Sequence, residues 1–205
     1  MKKVAYAKFD ESVEIHVNLG IDAKHADQLV RGTTILPHGT GKSSKVVVIT
    51  QGPKEKDALD AGADEVGNVD IIEKIQGGWL DFDILVVSPD MMPKIGKLGK
   101  QLGTKGLMPS PKNGTVTVDI KKAVQEFKAG KVEYRNDKSG AIHMVVGKLS
   151  FSEQQLEENI VDIYNVLLKA KPPKVKGVYV KSFALASTMG PGISLDVSAI
   201  GRKEN

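Results

Sequence analysis

Two unbroken apolar runs in the middle of the chain constrain its fold most strongly. Val46–Ile49 and Ile84–Val87 each contain four consecutive aliphatic residues. Such a composition is typical of strands in a sheet that is covered on both faces. Apolar residues recur at helical spacing around 54–61, 70–76 and 120–127, and a glycine lies shortly after each of these segments. This alternation of strand and helix predicts a small parallel sheet with helices on both faces.

The two ends of the chain have a different pattern. Apolar residues alternate with polar ones from Ser12 to Val17, and this predicts a strand with one buried face. Further strands are predicted at 33–36, 132–135, 141–146, 177–186 and 193–197. Ser152 and Gln155 have the spacing of a capping box, which predicts a helix that begins there and ends before Pro172. The ends therefore have α+β character.

Similar segments at both ends predict that one domain is inserted into another. The 205 residues of the chain are comfortable for two domains of about 100 residues each. We expect residues 1–40 and 131–205 to form a discontinuous outer α+β domain, and residues 41–130 to form an inserted α/β domain. The two crossing segments, Gly39–Lys42 and Ala129–Lys131, would permit a hinge motion.

Composition excludes several classes of function. The chain has no cysteine, so disulfides, thiolate catalysis and cysteine-ligated metals are ruled out. Residues 1–4 lack the apolar core of a signal peptide, and no apolar run approaches the roughly 20 residues that cross a bilayer. We therefore expect a cytoplasmic protein without a membrane partner. The four histidines lack metal-ligand spacing and no nucleophile motif is present, so no metal, cofactor or catalytic residue is predicted.

The segment Gly39-Thr40-Gly41-Lys42-Ser43 resembles the end of a phosphate-binding loop. That motif requires a glycine where this chain has Leu36, and it requires a helix after the loop, whereas a predicted strand follows here. A flexible linker is the favoured interpretation. A nucleotide-binding α/β enzyme that uses Gly41-Lys42-Ser43 remains the alternative hypothesis.

The lysines favour an anionic partner. The formal net charge is +4, and two long segments, 91–118 and 163–195, each contain five lysines and no acidic residue. These are Lys94, Lys97, Lys100, Lys105 and Lys112, and then Lys169, Lys171, Lys174, Lys176 and Lys181. Unopposed lysines attract phosphate by releasing counterions. Two such segments favour nucleic acid over a solvated lysine face, although the glycines among the first five also fit a loose surface loop.

An apolar, glycine-rich segment, Ser187–Gly192, follows a predicted strand that carries lysine. A surface turn is usually polar, whereas a methionine flanked by threonine and glycine can lie flat on a nucleotide. Phe9 lies beside Lys8 just before the first predicted strand, and it could be either an anchor at the edge of the core or a platform for an unpaired base. Together with Arg135–Gly140, these segments predict recognition of RNA.

Eight motifs, taken together, resemble one family over most of the chain. They are Lys8-Phe9-Asp10-Glu11-Ser12-Val13, Gly20-Ile21-Asp22, Val30-Arg31-Gly32-Thr33, Leu36-Pro37-His38-Gly39, Gly62-Ala63-Asp64, Lys105-Gly106-Leu107-Met108-Pro109, Arg135-Asn136-Asp137-Lys138 and Ser187-Thr188-Met189-Gly190. In this order and spacing they resemble the bacterial type of the large-subunit ribosomal protein L-one family. Only seven residues precede Lys8, whereas bacterial members carry an additional helical segment there.

The resemblance implies a fold, partners and site residues. The fold would be a split β-α-β domain made from both chain ends, with an inserted Rossmann-like three-layer domain. The partners would be the stalk region of 23S rRNA, exit-site tRNA whose release the protein assists, and its own operon mRNA, whose translation it represses. The protein would be a monomer off the ribosome. The implied RNA contacts are Lys8, Phe9, Thr188, Met189 and Gly190, with supporting contacts at Asp137, Lys138 and Ser139.

Overall fold

The computed structural model describes Lys2, residues 5–52 and residues 54–200. Its strands are β1 Ser12–Leu19, β2 Arg31–Ile35, β3 Val46–Ile49, β4 Glu65–Gly67, β5 Ile84–Val87, β6 Lys131–Arg135, β7 Ala141–Lys148, β8 Val180–Ser187 and β9 Ile193–Leu195. Its α-helices are α1 Lys54–Asp60, α2 Val69–Gln76, α3 Met92–Ile95, α4 Gly99–Thr104, α5 Ile120–Lys128, α6 Glu153–Lys169 and α7 Val197–Ile200. Short 3₁₀ turns lie at Ala26–Gln28, Pro89–Met91, Gly96–Leu98 and Pro111–Asn113.

The chain separates into two compact units. The outer unit comprises Met1–Lys42 and Gly130–Asn205, and the inner unit comprises Ser43–Ala129. Strands and helices are mixed in both units.

The outer unit is built on a four-stranded antiparallel sheet of order β7-β1-β8-β9. The alternation that predicted β1 places Val13, Ile15, Val17 and Leu19 on one face, where all four are buried. They belong to one core with the apolar stripe of α6. β2 and β6 form a separate antiparallel pair. β1 and β8 are the two strands of this sheet that are hydrogen-bonded on both edges.

The helix α6 begins as its sequence predicts. The Ser152 hydroxyl accepts a hydrogen bond from the Gln155 amide at 3.2 Å, and the Gln155 side chain accepts one from the Ser152 amide at 2.9 Å. This reciprocal pair satisfies two donors that the first helical turn would leave unpaired. The helix ends at Lys169, before Pro172.

Several predicted strand limits in the outer unit are wrong. β2 is Arg31–Ile35 rather than 33–36, and β7 extends to Lys148 rather than ending at 146. β8 begins at Val180 rather than at 177, because Gly177 has a φ of 78° and lies outside the extended region. β9 ends at Leu195 rather than at 197. Asp196 stops it by accepting the amide of Ser198 at 2.9 Å, and this bond caps the start of α7.

The inner unit is built on a three-stranded parallel sheet of order β4-β3-β5. Alternate residues of β3 and β5 enter two different clusters, one with α2 and the 91–102 segment and the other with α1 and α5. Burial on both faces is the physical reason for the unbroken apolar runs. The short strand β4 was absent from the sequence prediction, since Glu65–Gly67 carries no strand pattern.

The lysine-rich segment of the inner unit is folded rather than a loose loop. α3, the turn Gly96–Leu98 and α4 follow one another closely, and Met91, Ile95, Leu98 and Leu102 are buried in the core of this unit. The interpretation of a loose surface loop is therefore wrong. Glycines hid the helical pattern because their helix propensity is low.

The beginning of the predicted linker is held firmly within the outer unit. Asn159 of α6 is fully buried, and its amide group donates to the carbonyls of Gly39 at 3.0 Å and Val146 at 2.7 Å. Its oxygen accepts the amide of His38 at 3.1 Å. A Cβ at Gly130, which has a φ of 102°, would lie 2.5 Å from the Cα of Gly39. The two crossing segments are thus packed backbone against backbone, and glycine is required there.

Replacing Asn159 with alanine tests this anchor. One buried and two partly buried backbone groups would lose their partner, so we expect the free energy of unfolding to fall by about 3 kcal/mol. Chemical denaturation measures the change. Gln154→Ala, at an exposed position of the same helix, is the control and should change stability by less than about 0.5 kcal/mol. Equal effects of the two substitutions would contradict the anchoring role.

Candidate RNA interface

The antiparallel pairing of β1 with β8 brings the two chain ends together. Val13 pairs with Ser187, so the residues before β1 and the residues after β8 lie at the same end of the two strands. The amide of Thr188 donates to the Ser12 carbonyl at 3.1 Å, and the amide of Ser12 donates to the Thr188 hydroxyl oxygen at 3.0 Å. Lys8 and Phe9 therefore lie on the same corner of the outer unit as Met189 and Gly190.

Met189 is held through its backbone. Its amide donates to a carboxylate oxygen of Glu11 at 2.9 Å, and its carbonyl accepts from the Tyr6 hydroxyl at 3.1 Å. Glu11 is only 1% exposed. The Met189 side chain itself is 50% exposed. The sequence predicted Met189 as a contact but assigned no role to Tyr6 or Glu11.

Three large apolar side chains, those of Tyr6, Phe9 and Met189, are exposed to solvent at this corner. Tyr6, whose hydroxyl donates to the Met189 carbonyl, is 70% exposed, and Phe9 and Met189 are 57% and 50% exposed. We name Tyr6, Phe9, Thr188, Met189 and Gly190 the terminal shelf. Exposed apolar groups that cluster in this way mark an interaction surface. The alternative interpretation of Phe9 as an anchor at the edge of the core is excluded by its exposure.

The Thr188 hydroxyl is already engaged within the protein. It accepts a hydrogen bond from the Ser12 amide and donates one to the Ser12 carbonyl at 3.4 Å. A hydroxyl has one proton and two lone pairs, so one acceptor position remains. Such a group suits a donor like a ribose 2′-OH better than it suits a phosphate oxygen, which offers no proton.

Gly190 has an intramolecular reason to be glycine. Its amide donates to the Ser187 carbonyl at 3.1 Å, and this bond closes a tight turn after β8. A Cβ at this position would lie 2.3 Å from the Ser187 hydroxyl oxygen. The sequence predicted that glycine permits the backbone to approach RNA, and the turn gives it a second role.

The sequence analysis did not predict a further cation, Lys148, at the same end of the strands. The Lys148 amine lies 3.0 Å from the Ser12 hydroxyl and 3.3 Å from the Asp10 carbonyl. Its place follows from the pairing of Ser12 with Lys148 across β1 and β7. Only the strand register could reveal this proximity, since the two residues lie far apart in the sequence.

The turn between β6 and β7 is organised by a carboxylate. One Asp137 oxygen accepts from the amide of Ser139 at 2.8 Å, from its hydroxyl at 2.7 Å and from the amide of Ala141 at 2.8 Å. The Ser139 hydroxyl bond, followed by the Ala141 amide bond, lowers the pKa of Asp137 from 3.8 to about 2. Asp137 and Ser139 thus hold each other, and Lys138 remains exposed between them.

The structure does not bring this turn to the terminal shelf. Ala141 pairs with Asn18, near the end of β1, whereas the shelf adjoins Ser12 at its start. At about 3.3 Å per residue, the two places lie about 20 Å apart along the strand. Beside the turn is a surface groove of ≈ 560 Å³ lined by Ala23, Leu29, Arg135, Asn136, Asp137 and Lys138. The eight predicted site residues therefore form two separate groups: Phe9, Thr188, Met189 and Gly190 on the shelf with Lys8 beside it, and Asp137, Lys138 and Ser139 at the turn.

The two lysine segments differ in their pairing. Lys174, in the outer unit, forms an ion pair with Asp27 at 2.6 Å. The prediction that the lysines of its segment have no acidic partner is therefore wrong for Lys174. The lysines of the inner segment, Lys94, Lys97, Lys100, Lys105 and Lys112, are all exposed. Backbone positions Gly96 and Gly103 beside them are open, since an added Cβ would meet no atom within 4 Å.

Comparison with known proteins decides the family. A model described as the "Ribosomal protein L1p/L10e family" matches residues 1–191. The chain belongs to the ribosomal protein L1 family. It is 54% identical over 204 residues to "Large ribosomal subunit protein uL1" of Solibacter usitatus (strain Ellin6076), a match that covers 99% of this chain and 86% of that protein.

Membership of the L1 family confirms the resemblance. The chain is a ribosomal protein, a structural RNA-binding protein rather than an enzyme, and it is cytoplasmic and ribosome-associated. The alternative of a nucleotide-using enzyme is therefore wrong. The fold agrees, because β3 rather than a helix follows Gly41-Lys42-Ser43, and the dipole of a helix N-terminus is absent there.

The described residues include neither a membrane-spanning helix nor a group of metal ligands. No helix in that part of the chain has the length and apolarity to cross a bilayer. Within the same residues, no three histidine, cysteine or acidic side chains are grouped to hold a metal ion.

A rescue experiment separates the two roles of Gly190. Gly190→Ala places a methyl group against the Ser187 hydroxyl, and we expect a loss of about 1 kcal/mol in stability with weaker RNA binding. Ser187→Ala removes the obstructing oxygen, so the double variant should recover most of both. Denaturation and filter binding measure the two effects, with Ser187→Ala alone as control. If RNA binding stays weak in a stable double variant, glycine is needed for RNA approach instead.

The acid dependence of stability tests the Asp137 turn. The pKa of Asp137 is lower in the folded chain, so the carboxylate stabilises the fold above its ordinary value of 3.8, and this contribution is lost as the pH falls through about 2. Asp137→Asn should lower the melting temperature at neutral pH, and the difference from the parent chain should vanish near pH 2. Asp60→Asn, at an exposed position, is the control. A pH-independent difference would refute the assignment.

Proposed function

We propose that the terminal shelf binds large-subunit rRNA at the mobile stalk near the tRNA exit site. The observation that carries this proposal is the exposure of Phe9 and Met189 on one hydrogen-bonded corner. The finer architecture belongs to the same proposal: a split β-α-β domain of residues 1–40 and 131–205, with a Rossmann-like three-layer domain of residues 41–130 inserted into it.

The shelf would recognise RNA chiefly by shape. Irregular RNA exposes ribose edges and unstacked bases, on which aromatic and thioether groups can pack. Phe9 and Met189 would supply this apolar contact, and the remaining acceptor of Thr188 would take a 2′-OH proton. Lys8 would position the phosphate chain without reading its sequence. The terminal shelf itself carries no charged side chain, which fits close contact with sugar and base surfaces.

The turn at the far end of β1 would make a second, electrostatic contact. Lys138 is exposed there, and Arg135 lines the same groove. Asp137 and Ser139 would act by holding the turn that presents Lys138, rather than by touching phosphate. An RNA junction that spans about 20 Å could reach both places, which would fix its orientation on the outer unit.

The inner unit would contact exit-site tRNA and assist its release. Its five exposed lysines lie in a segment without acidic residues. This charge would attract the tRNA backbone through contacts that weaken with salt. Weak, sequence-independent contacts suit a ligand that has to leave.

The same shelf would bind the protein's own operon mRNA and repress its translation. A shelf that reads shape accepts any RNA that presents the same fold. Binding to rRNA and to mRNA would then be mutually exclusive, so free protein accumulates on the message only when stalk sites are filled. The chain would act as a monomer off the ribosome.

Two substitutions test the principal contact. Met189→Asp places an unpaired charge in the interface and should weaken binding to a stalk-junction RNA by about 2 kcal/mol or more. Lys8→Ala should instead lower the slope of log affinity against log salt by about one. Equilibrium binding at several salt concentrations measures both. Val178→Asp is the matched control, because Val178 is 72% exposed and precedes β8 at the end opposite the shelf.

A scrambled duplex serves as the competitor RNA in the same assay. Equal affinities of the parent chain for the stalk junction and the duplex at physiological salt would refute specific recognition. Equal losses from Met189→Asp and Val178→Asp would refute the shelf as the site.

A further inference from the structure

Both backbone polar groups of Met189 form hydrogen bonds with residues from the other end of the chain. Its amide donates to the Glu11 carboxylate at 2.9 Å, and its carbonyl accepts from the Tyr6 hydroxyl at 3.1 Å. The two partners lie 178 and 183 positions away in the sequence. Most turns that follow a strand depend on local hydrogen bonds, whereas this turn is also held by residues that are distant in the sequence.

We propose that Glu11 and Tyr6 are positioning residues of the RNA site, which clamp the Met189 peptide and keep its side chain raised on the shelf. This inference rests on the function proposed above for the terminal shelf. Neither residue has to touch RNA through its clamping group. Their action is to preform the surface, so that RNA binding does not have to order a mobile methionine.

The burial of Glu11 supports a positioning role. A carboxylate that is 1% exposed is costly to bury unless it is hydrogen-bonded, and a bond from an amide to a carboxylate is stronger than one to a neutral oxygen. The Glu11 backbone is fixed as well, because its carbonyl accepts the Leu149 amide at 2.9 Å. The carboxylate therefore presents a rigid acceptor to the turn. Burial also keeps its negative charge out of contact with phosphate.

Tyr6 closes the clamp from the solvent side. Its ring is 70% exposed while its hydroxyl bonds the Met189 carbonyl. Such a bond ties the position of the ring to the position of the methionine. Phenylalanine at this position would retain the ring and remove only the bond, so Tyr6→Phe isolates the clamp from any contact that the ring makes.

The experiment measures RNA affinity and salt dependence in a small set of variants of the full chain. Glu11→Ala should weaken binding to the stalk-junction RNA about tenfold or more, and Tyr6→Phe about threefold. Glu11→Gln retains an oxygen that can accept the amide and should stay within about threefold of the parent chain. None should change the salt slope, since no phosphate contact is lost. Glu14→Ala, three residues further along the chain and within β1, is the control and should bind like the parent.

A double-mutant cycle shows whether Glu11 acts through Met189. In a Met189→Ala background, Glu11→Ala should cost less than about threefold, because the side chain that it positions is already gone. An undiminished tenfold loss in that background would overturn the proposal, since the effect would then bypass Met189. Parent-like affinity of both Glu11→Ala and Tyr6→Phe would also overturn it.

Stability and amide spectra complete the test. If Glu11→Ala does not fold, Tyr6→Phe and the NMR resonance of the Met189 amide proton test the clamp instead. Glu11→Gln should shift that resonance upfield, because the charged acceptor is lost. An unshifted resonance would contradict the clamp. Failure of the proposed function has a different signature. In that case the parent chain would not distinguish the stalk junction from a scrambled duplex, whatever the variants do.

Discussion

The pairing of β1 with β8 is the interaction on which the structure and the site both depend. It buries one face of β1 against α6, and it also makes the two chain ends leave the sheet at a common edge. Neither end could form the terminal shelf alone, because the shelf residues on one side are fastened to backbone and carboxylate groups on the other. Folding of the outer unit and assembly of the proposed RNA site are therefore one event.

In the proposed function, the shelf and the lysines would have different parts in RNA binding. Phosphate attraction is strong, long-ranged and indifferent to sequence, and exposed lysines on both units would supply it. Selection requires a rigid surface of defined shape, which the apolar shelf would supply. Buried polar groups such as Glu11 and Asn159 contribute rigidity through fixed hydrogen bonds rather than direct contact.

Patterns within short segments predicted most of the fold. The capping box of α6, the alternation in β1 and the double-sided strands β3 and β5 each depend on neighbours in the sequence, and each was confirmed. β4 and the helices around Gly99 were missed, since three residues or a glycine-rich run carry too little periodicity. Long-range pairing was also invisible, as with Lys174 and Asp27. The residues themselves and the resemblance both indicated Phe9 and Met189, but neither revealed the Tyr6 and Glu11 bonds that hold Met189, nor the distance to Asp137.

Contact between the Met189 methyl group and RNA tests the account most directly. The chain contains six methionines, so selective methyl labelling gives a spectrum simple enough to assign in the RNA complex. The account predicts that the Met189 methyl resonance shifts most and shows contacts to ribose protons of the stalk junction. A Met189 resonance that is unchanged at saturating RNA, while binding is demonstrated by another signal, would contradict it.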